Sequence, residues 1–257
     1  YIRERARERW LRGGWHPSQV VASGVMLDPY ALTIGFSRRF APYKRANLIL
    51  RDLDRLLKLV SDPEKPVQII FAGKSHPDHE GGKLLIQEVY RVVKRPEFGG
   101  RLAFLEEYDM NLARYLVQGV DVWLNTPRRP NEASGTSGQK AAVNGVLNFS
   151  VLDGWWREGY NGQNGWAIGK DVDYDNPDRQ DEDDAKSLYD TLENEIIPLY
   201  YQLRSSDGLP GEWISRIKSS IRTIGPQFST RRMVKEYLER MYLPAMQASL
   251  KAPQSLD

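Results

Sequence analysis

At 257 residues, with 27% charged and 40% apolar side chains, the chain is long enough for one large domain or two small ones with an ample core. Its 36 basic and 34 acidic residues leave a net charge of +2, so no global charge directs it to nucleic acid or to acidic partners. Cysteine is absent, which excludes disulfides and thiol catalysis and fits a reducing, cytoplasmic setting; no apolar run reaches membrane-spanning length, and the first residues carry no signal-peptide pattern.

The chain begins at Tyr1 rather than Met, as a fragment or a processed piece would. Arg3, Arg5, Arg7, Arg9 and Arg12 alternate with Glu4 and Glu8, which predicts a solvated helix with a Glu8–Arg12 pair, stopped by Gly13-Gly14. The interleaved carboxylates argue against a nucleic-acid arm. Trp10, Leu11 and Trp15 give this stretch a face that would pack on something, such as a domain absent from this chain.

Asp28-Pro29 marks a turn, and residues 31–36 a short apolar strand. Four cations (Arg38, Arg39, Lys44 and Arg45) fall within the eight residues 38–45, ahead of a predicted helix carrying Leu48, Ile49, Leu53, Leu56 and Leu57. Cations at a helix start are unfavourable unless an anion sits there too. Either this is an exposed basic turn, or Arg38, Arg39 and Lys44 make an oxyanion site.

Residues 66–72 read as a second buried strand ended by Gly73-Lys74-Ser75. An ATP-binding P-loop needs a Gly five residues before Gly73, and Gln68 stands there, so that site is rejected. His76, Asp78, His79 and Glu80 resemble metal ligands, but at a strand-to-helix turn they are expected to cap the helix, and no metal site is assigned. A helix over 81–93, a strand at 102–105, a helix over 110–118 and a strand at 120–124 follow. Glu106, Glu107, Tyr108 and Asp109 lie at the carboxyl end of the third strand, where ligands gather in open α/β sheets.

After the fourth strand comes a loop crowded with Pro, Asn, Ser and Gly, leading to Thr136-Ser137-Gly138 at the start of a helix. Such a loop is an N-cap or, with free N–H groups around an anion-sized space, a phosphate cradle. Lys140 sits in the first turn beside it and Glu132 at its entrance, and an anion pocket with an adjacent amine suits a phosphate-bearing aldehyde cofactor. An apolar run then extends to Asp153. Trp155-Trp156 and the aromatic loop over 160–166 read equally as sugar-stacking platforms or as loop anchors in the core. The acidic run over 178–184 is placed just before a helix with Leu188, Leu192, Ile196 and Leu199, where it complements the helix dipole and needs no partner. Further helices are expected near 210–222 and 230–247, with a frayed tail at 254–257. About five strand–helix alternations argue a parallel sheet covered on both faces.

Two segments carry a resemblance. Glu132-Ala133-Ser134-Gly135-Thr136, Lys140, Asn144-Gly145 and Leu152-Asp153-Gly154 resemble the pyridoxal-phosphate segment of the α-glucan (glycogen, starch, maltodextrin) phosphorylases, and the stretch over 35–45 resembles their phosphate-site motif. Phe71-Ala72-Gly73-Lys74 and His76-Pro77 match a structural loop near the site in that family. The likeness runs from about Val25 to Gly169. It implies the C-terminal, Rossmann-like half of a two-domain GT-B architecture: 1–24 as a linker and helix from a missing N-terminal domain, 25–225 as the cofactor- and phosphate-binding domain, and 226–257 as a C-terminal helix and tail.

The implied activity is retaining phosphorolysis, in which an α-1,4-glucan and inorganic phosphate give glucose 1-phosphate, with pyridoxal 5′-phosphate as cofactor. The resemblance puts the cofactor on Lys140, its phosphate among Gly135, Thr136, Ser137 and Arg38, and Tyr108 against it. Arg39 and Lys44 correspond to the residues that bind substrate phosphate, and Glu132 and Ser134 to those that meet the glucosyl hydroxyls; Arg39, Lys44 and Glu132 form the expected catalytic set. Vertebrate-type members have Gly-Asn-Met where this chain has Ser137-Gly138-Gln139, which weakens the transfer for Ser137, and His-Glu at Ala41-Pro42, which leaves that His without a counterpart. The expected partners are the glucan, phosphate and the missing domain, with a homodimer left open. A nucleotide-sugar-dependent glycosyltransferase of the same architecture, and a non-catalytic glucan-binding or assembly module, are the competing readings.

Overall fold

The computed structural model describes residues 1–12, 27–202 and 210–251. Six strands, β1 (Leu32–Ser37), β2 (Val67–Ala72), β3 (Leu102–Leu105), β4 (Val122–Asn125), β5 (Leu147–Val151) and β6 (Gly165–Ile168), form one sheet in the order β3-β2-β1-β4-β5-β6, every neighbouring pair parallel. A parallel sheet must be covered on both faces, and the side-chain alternation shows how. Leu32, Ile34, Phe36, Ile69, Phe71, Val122, Leu124, Leu147 and Phe149 point to one face, which carries the larger core. Ile70, Ala72, Ala103, Leu105 and Trp123 point to the other.

The first face is covered by α2 (Leu53–Ser61), α3 (Glu80–Val93) and α7 (Pro177–Thr191), whose Leu56, Val60, Val89, Val92, Leu188 and Tyr189 are buried there. The second is covered by α4 (Met110–Gly119) and α5 (Thr136–Val143) through Leu112, Leu116 and Ala141, and Ile2 of α1 (Ile2–Arg12) packs on it. The short α6 (Trp155–Gly159) precedes β6. Helix α7 continues through a π turn, Leu192–Ile196, into α8 (Ile197–Tyr200). Helix α9 (Gly211–Gln227) packs against α5. α10 (Thr230–Tyr237) and α11 (Leu243–Lys251), joined by a second π turn, bury no residue among those described.

The helix foreseen from Leu48 onward is divided. Leu48–Leu50 is a single 3₁₀ turn, and α2 starts afresh where the Asp52 carboxylate accepts the Arg55 N–H at 2.9 Å. The local N-cap outcompetes the apolar periodicity that runs across it. Trp155 and Trp156 are buried with Ala142 and Ile224, the Trp156 indole donates to Trp166 O at 3.1 Å, and Trp166 stacks near Trp213. These aromatics anchor the core rather than line an open sugar platform. The Glu8–Arg12 pair is present at 3.5 Å. The proposed stop at Gly13-Gly14, the packing of Trp15 and the tail at 254–257 lie outside the described residues.

Candidate functional site

Connections from β1 and β4 leave in opposite directions, so the crevice between their carboxyl ends is the topological switch point of the sheet. Both loops of interest start there. After β1, Arg38 N–H donates to Ala72 O at 3.1 Å and Phe40 N–H to Lys74 O at 2.9 Å, so the chain keeps a strand-like path for three residues beyond the sheet. Gly73 is a glycine because the Arg38 carbonyl and the Phe40 ring occupy the space a Cβ would need. Phe40 then drops into the core against Phe36. Pro42–Lys44 forms a 3₁₀ turn, closed by Arg45 in a left-handed conformation (φ 45°, ψ 53°).

The loop after β4 comes back over this turn. Arg128 N–H donates to Tyr43 O at 2.6 Å, and the Thr126 hydroxyl reaches both Lys44 O and Arg45 O at 3.0 Å. Farther along, Asp153 after β5 accepts Glu132 N–H at 2.8 Å and Gly154 N–H at 2.9 Å, while Trp155 N–H donates to Ser134 O at 2.9 Å. Gly154, at φ 53°, leaves room for that carbonyl, since a Cβ would stand 2.5 Å from it. The turn after β5 thereby holds the segment that carries Glu132 over the crevice.

The centre of the site is a buried ionic group. Lys44 Nζ donates to the Glu132 carboxylate, and Arg38 Nη1 lies 3.9 Å from the same oxygen. Lys44 also sits over the Tyr43 ring at 4.8 Å, and Arg38 over Phe36 at 5.3 Å. Burial pulls the Arg38 guanidinium down to about 10, opposed by the charge of Glu132 and by Tyr43 and Tyr108. Arg38 Nε and Nη2, Ser37 Oγ and Asn125 Oδ1 are buried without a hydrogen-bond partner among the described residues. All four atoms stand at the carboxyl ends of β1 and β4. Arg38 Nε and Nη2 are buried donors without acceptors, which is costly, and with the unpaired Ser37 hydroxyl and the acceptor Asn125 Oδ1 beside them they mark this switch point as a place shaped for a polar ligand that accepts from the guanidinium.

The anticipated anion cradle sits next to this group. Gly135 takes the left-handed conformation (φ 89°, ψ 55°) ahead of α5, and a Cβ there would lie 3.5 Å from Glu132 Oε1. No side chain caps α5; Gly138 N–H turns back to Gly135 O at 3.3 Å, and the N–H groups of Thr136 and Ser137 ahead of it stand at the open end of the helix. Gly138 is required because a Cβ would meet Asn148 Oδ1 at 2.5 Å and the Trp155 indole at 3.0 Å. Ser137 Oγ accepts from the Trp123 indole at 3.3 Å and so faces the sheet.

Of the residues singled out in the sequence, the structure brings together Arg38, Lys44 and Glu132, with Gly135 adjoining and Tyr108 within electrostatic reach of Arg38. Arg39, Ser134, Thr136 and Lys140 are exposed, and neither Arg39 nor Lys140 joins the ion-paired set. His79 caps α3, its Nδ1 accepting Gly82 N–H at 3.0 Å.

Sequence reasoning missed one group. Residues 178–184 do not precede a helix; they lie inside α7, and two of them, Asp181 and Asp184, are ion-paired with arginines. Asp181 takes Arg45 at 2.8 Å, Arg128 at 2.5 Å and Arg51 at 3.4 Å, and Asp184 takes Arg45 at 2.7 Å. The i, i+3 spacing of those two carboxylates was a readable sign that they share a helix face.

A family model described as carbohydrate phosphorylase matches residues 19–173. The chain is 54% identical over 242 residues to a glycogen phosphorylase of Aquifex aeolicus, covering 94% of this chain and 34% of that protein. It is 56% identical over 220 residues to a maltodextrin phosphorylase of Thermococcus litoralis (86% of this chain, 26% of that protein), and 46% identical over 247 residues to a glycogen phosphorylase of Mycobacterium tuberculosis (96% and 28%). The chain thus spans about a third or less of the length of the curated relatives it matches.

Proposed function

The chain belongs to the carbohydrate phosphorylase family, and from that premise we propose that it is the cofactor- and phosphate-binding part of an α-glucan phosphorylase. Its reaction is then cleavage of an α-1,4-glucan by inorganic phosphate to glucose 1-phosphate. The observation that carries this reading is Arg38, a buried guanidinium with two unpartnered nitrogens beside the Lys44–Glu132 pair. A cation buried at such cost, next to an uncapped helix start, asks for an oxyanion.

The same features fit pyridoxal 5′-phosphate. Arg38 and the first N–H groups of α5, with Gly135, Thr136 and Ser137 around them, would hold its phosphate; Lys140, exposed one turn along, would hold its aldehyde; Tyr108 would border it. When bound, the cofactor supplies a second phosphate that relays a proton to the substrate phosphate. Arg39 and Lys44 hold that substrate phosphate. As Lys44 exchanges carboxylate for phosphate, Glu132 is released to accept a glucosyl hydroxyl, with Ser134 beside it. In the step itself the bond from the sugar C1 to the glycosidic oxygen breaks, a phosphate oxygen takes C1 on the same face, and the departing oxygen takes the phosphate proton. The cations offset negative charge that gathers between the phosphates as the sugar becomes oxocarbenium-like.

A further domain belongs to the same proposal, as does a cytoplasmic setting. Met233, Val234, Leu238, Met241, Met246 and Leu250 of α10, α11 and the turn between them are exposed in this chain. The extra length of the relatives supplies a natural cover for them. The test of the cofactor assignment is borohydride reduction with pyridoxal phosphate followed by peptide mass mapping. Label confined to Lys140 is the expected result, and label scattered over the surface lysines overturns it.

A further inference from the structure

We propose that Arg45, together with Asp181 and Asp184 of α7, is a positioning device that aims Lys44 into the crevice, an inference that rests on reading the crevice as a phosphate site. Arg45 is adjacent to Lys44 in sequence, but its side chain runs the opposite way, into the protein. Its guanidinium is nearly inaccessible, at 2% exposure, and every nitrogen is used. Nε donates to Thr126 O at 3.0 Å, Nη1 to Asp181 at 2.8 Å, and Nη2 to Pro127 O at 2.8 Å and Asp184 at 2.7 Å.

One side chain therefore ties the loop after β1, the loop after β4 and α7 into a single body. The left-handed backbone at Arg45, rarely adopted by a residue with a side chain, persists because these bonds over-determine it. That conformation turns Lys44 back toward Glu132. Asp184 occupies the space that a side chain at Gly169 (φ 71°) would need, so β6 is followed by a glycine that makes way for this carboxylate. Burial raises the pKa of Asp184 against the opposing charge of Arg45. Arg128 and Arg51 add two more guanidiniums on Asp181, so the anchor on α7 is held from the loop side as well. Only Arg offers the planar fork that two carboxylates and two carbonyls can share.

The test is limited acylation of the full chain with acetic anhydride, with the rate at each lysine followed by peptide mass mapping. In the native protein Lys44 should react slowly and Lys140 fast. Asp184→Asn, which keeps shape and removes charge, should raise the Lys44 rate at least tenfold and leave Lys140 unchanged. Arg128→Gln, at a half-buried position where folding is not at stake, should raise it about threefold.

Arg55→Gln is the control. It breaks comparable ion pairs, at 2.6 Å to Asp190 of α7 and to Glu193 of the π turn after it, far from the Asp181–Asp184 end of the helix, and Lys44 should not respond. A Lys44 rate within twofold of native in Arg128→Gln and in a folded Asp184→Asn overturns the inference, as does an equal rise in Arg55→Gln. If Asp184→Asn does not fold, Arg128→Gln decides alone. Inorganic phosphate should slow Lys44 acylation in the native chain and require about tenfold more phosphate to do so in Asp184→Asn. No protection of the native chain would instead overturn the phosphate reading, while the acylation rates without phosphate still decide the positioning role.

Discussion

Two buried arginines in the loop after β1, seven residues apart, have opposite fates. Arg45 has an acceptor for every nitrogen and a carboxylate on each terminal nitrogen. Arg38 has one carboxylate at 3.9 Å and two nitrogens with none. Both are buried, Arg45 the more deeply, so desolvation alone would make Arg45 the costlier charge; the difference is in compensation. A charge that is fully answered inside the protein builds the protein. A charge left half-answered at a sheet's switch point is held for something that comes from outside. That contrast separates scaffold from site without reference to any relative.

Replacement by methionine should break the contrast most visibly. Arg45→Met leaves Asp184 buried without counter-charge, while Asp181 keeps Arg128 and Arg51, and a loss of about 3–5 kcal/mol is expected. Arg38→Met removes a charge that is poorly answered, while Glu132 keeps Lys44; stability should hold within about 1 kcal/mol or rise. Urea unfolding in a buffer free of oxyanions measures both. Equal destabilisation by the two would show that Arg38 is structural.

A half-buried carboxyl at the opposite end of the sheet sharpens the comparison. Asp121 just before β4 accepts Thr33 N–H at 2.8 Å but has no cation among its influences; burial pushes it up to about 6, with the bonds from Thr33 and Tyr200 opposing. A carboxyl raised in the folded state binds its proton more tightly there than in the unfolded chain. Its neutral form therefore stabilises the fold below the unfolded value near 4, and that contribution is lost as pH rises through about 6. Asp121→Asn should gain on the order of 2 kcal/mol relative to the native chain at pH 7, and should remove the corresponding slope between pH 4 and 6. Urea midpoints across that range decide the matter, and an unchanged slope would mean that water reaches Asp121.

These cases also show how much the sequence could tell. Strands were legible because a buried parallel strand is written as a nearly continuous apolar run, as in Val67–Ala72 with Gln68 its one polar residue, and the alternation of strand and helix put both loops at carboxyl ends of strands, whereas the switch point between β1 and β4 emerged only with the strand order. The cations of 38–45 announced a site because they stood where a helix dipole disfavours them. Which of them faces the crevice was not legible. Arg38, Arg39 and Arg45 look alike as letters, yet one is half-satisfied, one exposed and one locked inside, and only long-range partners settle that. Asp181 and Asp184 were hidden for the same reason. An acidic stretch beside a helix start has a sufficient local explanation in the dipole, and the arginines that claim it lie some 50 to 140 positions away.

The smallest expected effect tests the boundary of the site on its other side. His79 lies in the Gly73-to-Glu80 loop, next to the turn that carries Lys44, since Gly81 approaches Pro42 closely enough that a Cβ would stand 3.0 Å from its ring. By proximity alone it could be counted with the site. Its ring nitrogen, however, is already committed to Gly82 N–H, where it caps α3. His79→Ala should therefore cost about 1 kcal/mol, the ordinary value of an N-cap, while His79→Asn, which can cap in the same way, should restore it. Protection of Lys44 by phosphate should be the same in both. A variant that melts normally but loses that protection would move the edge of the site across to α3, and the division between answered and unanswered charges would have to be redrawn to include a histidine.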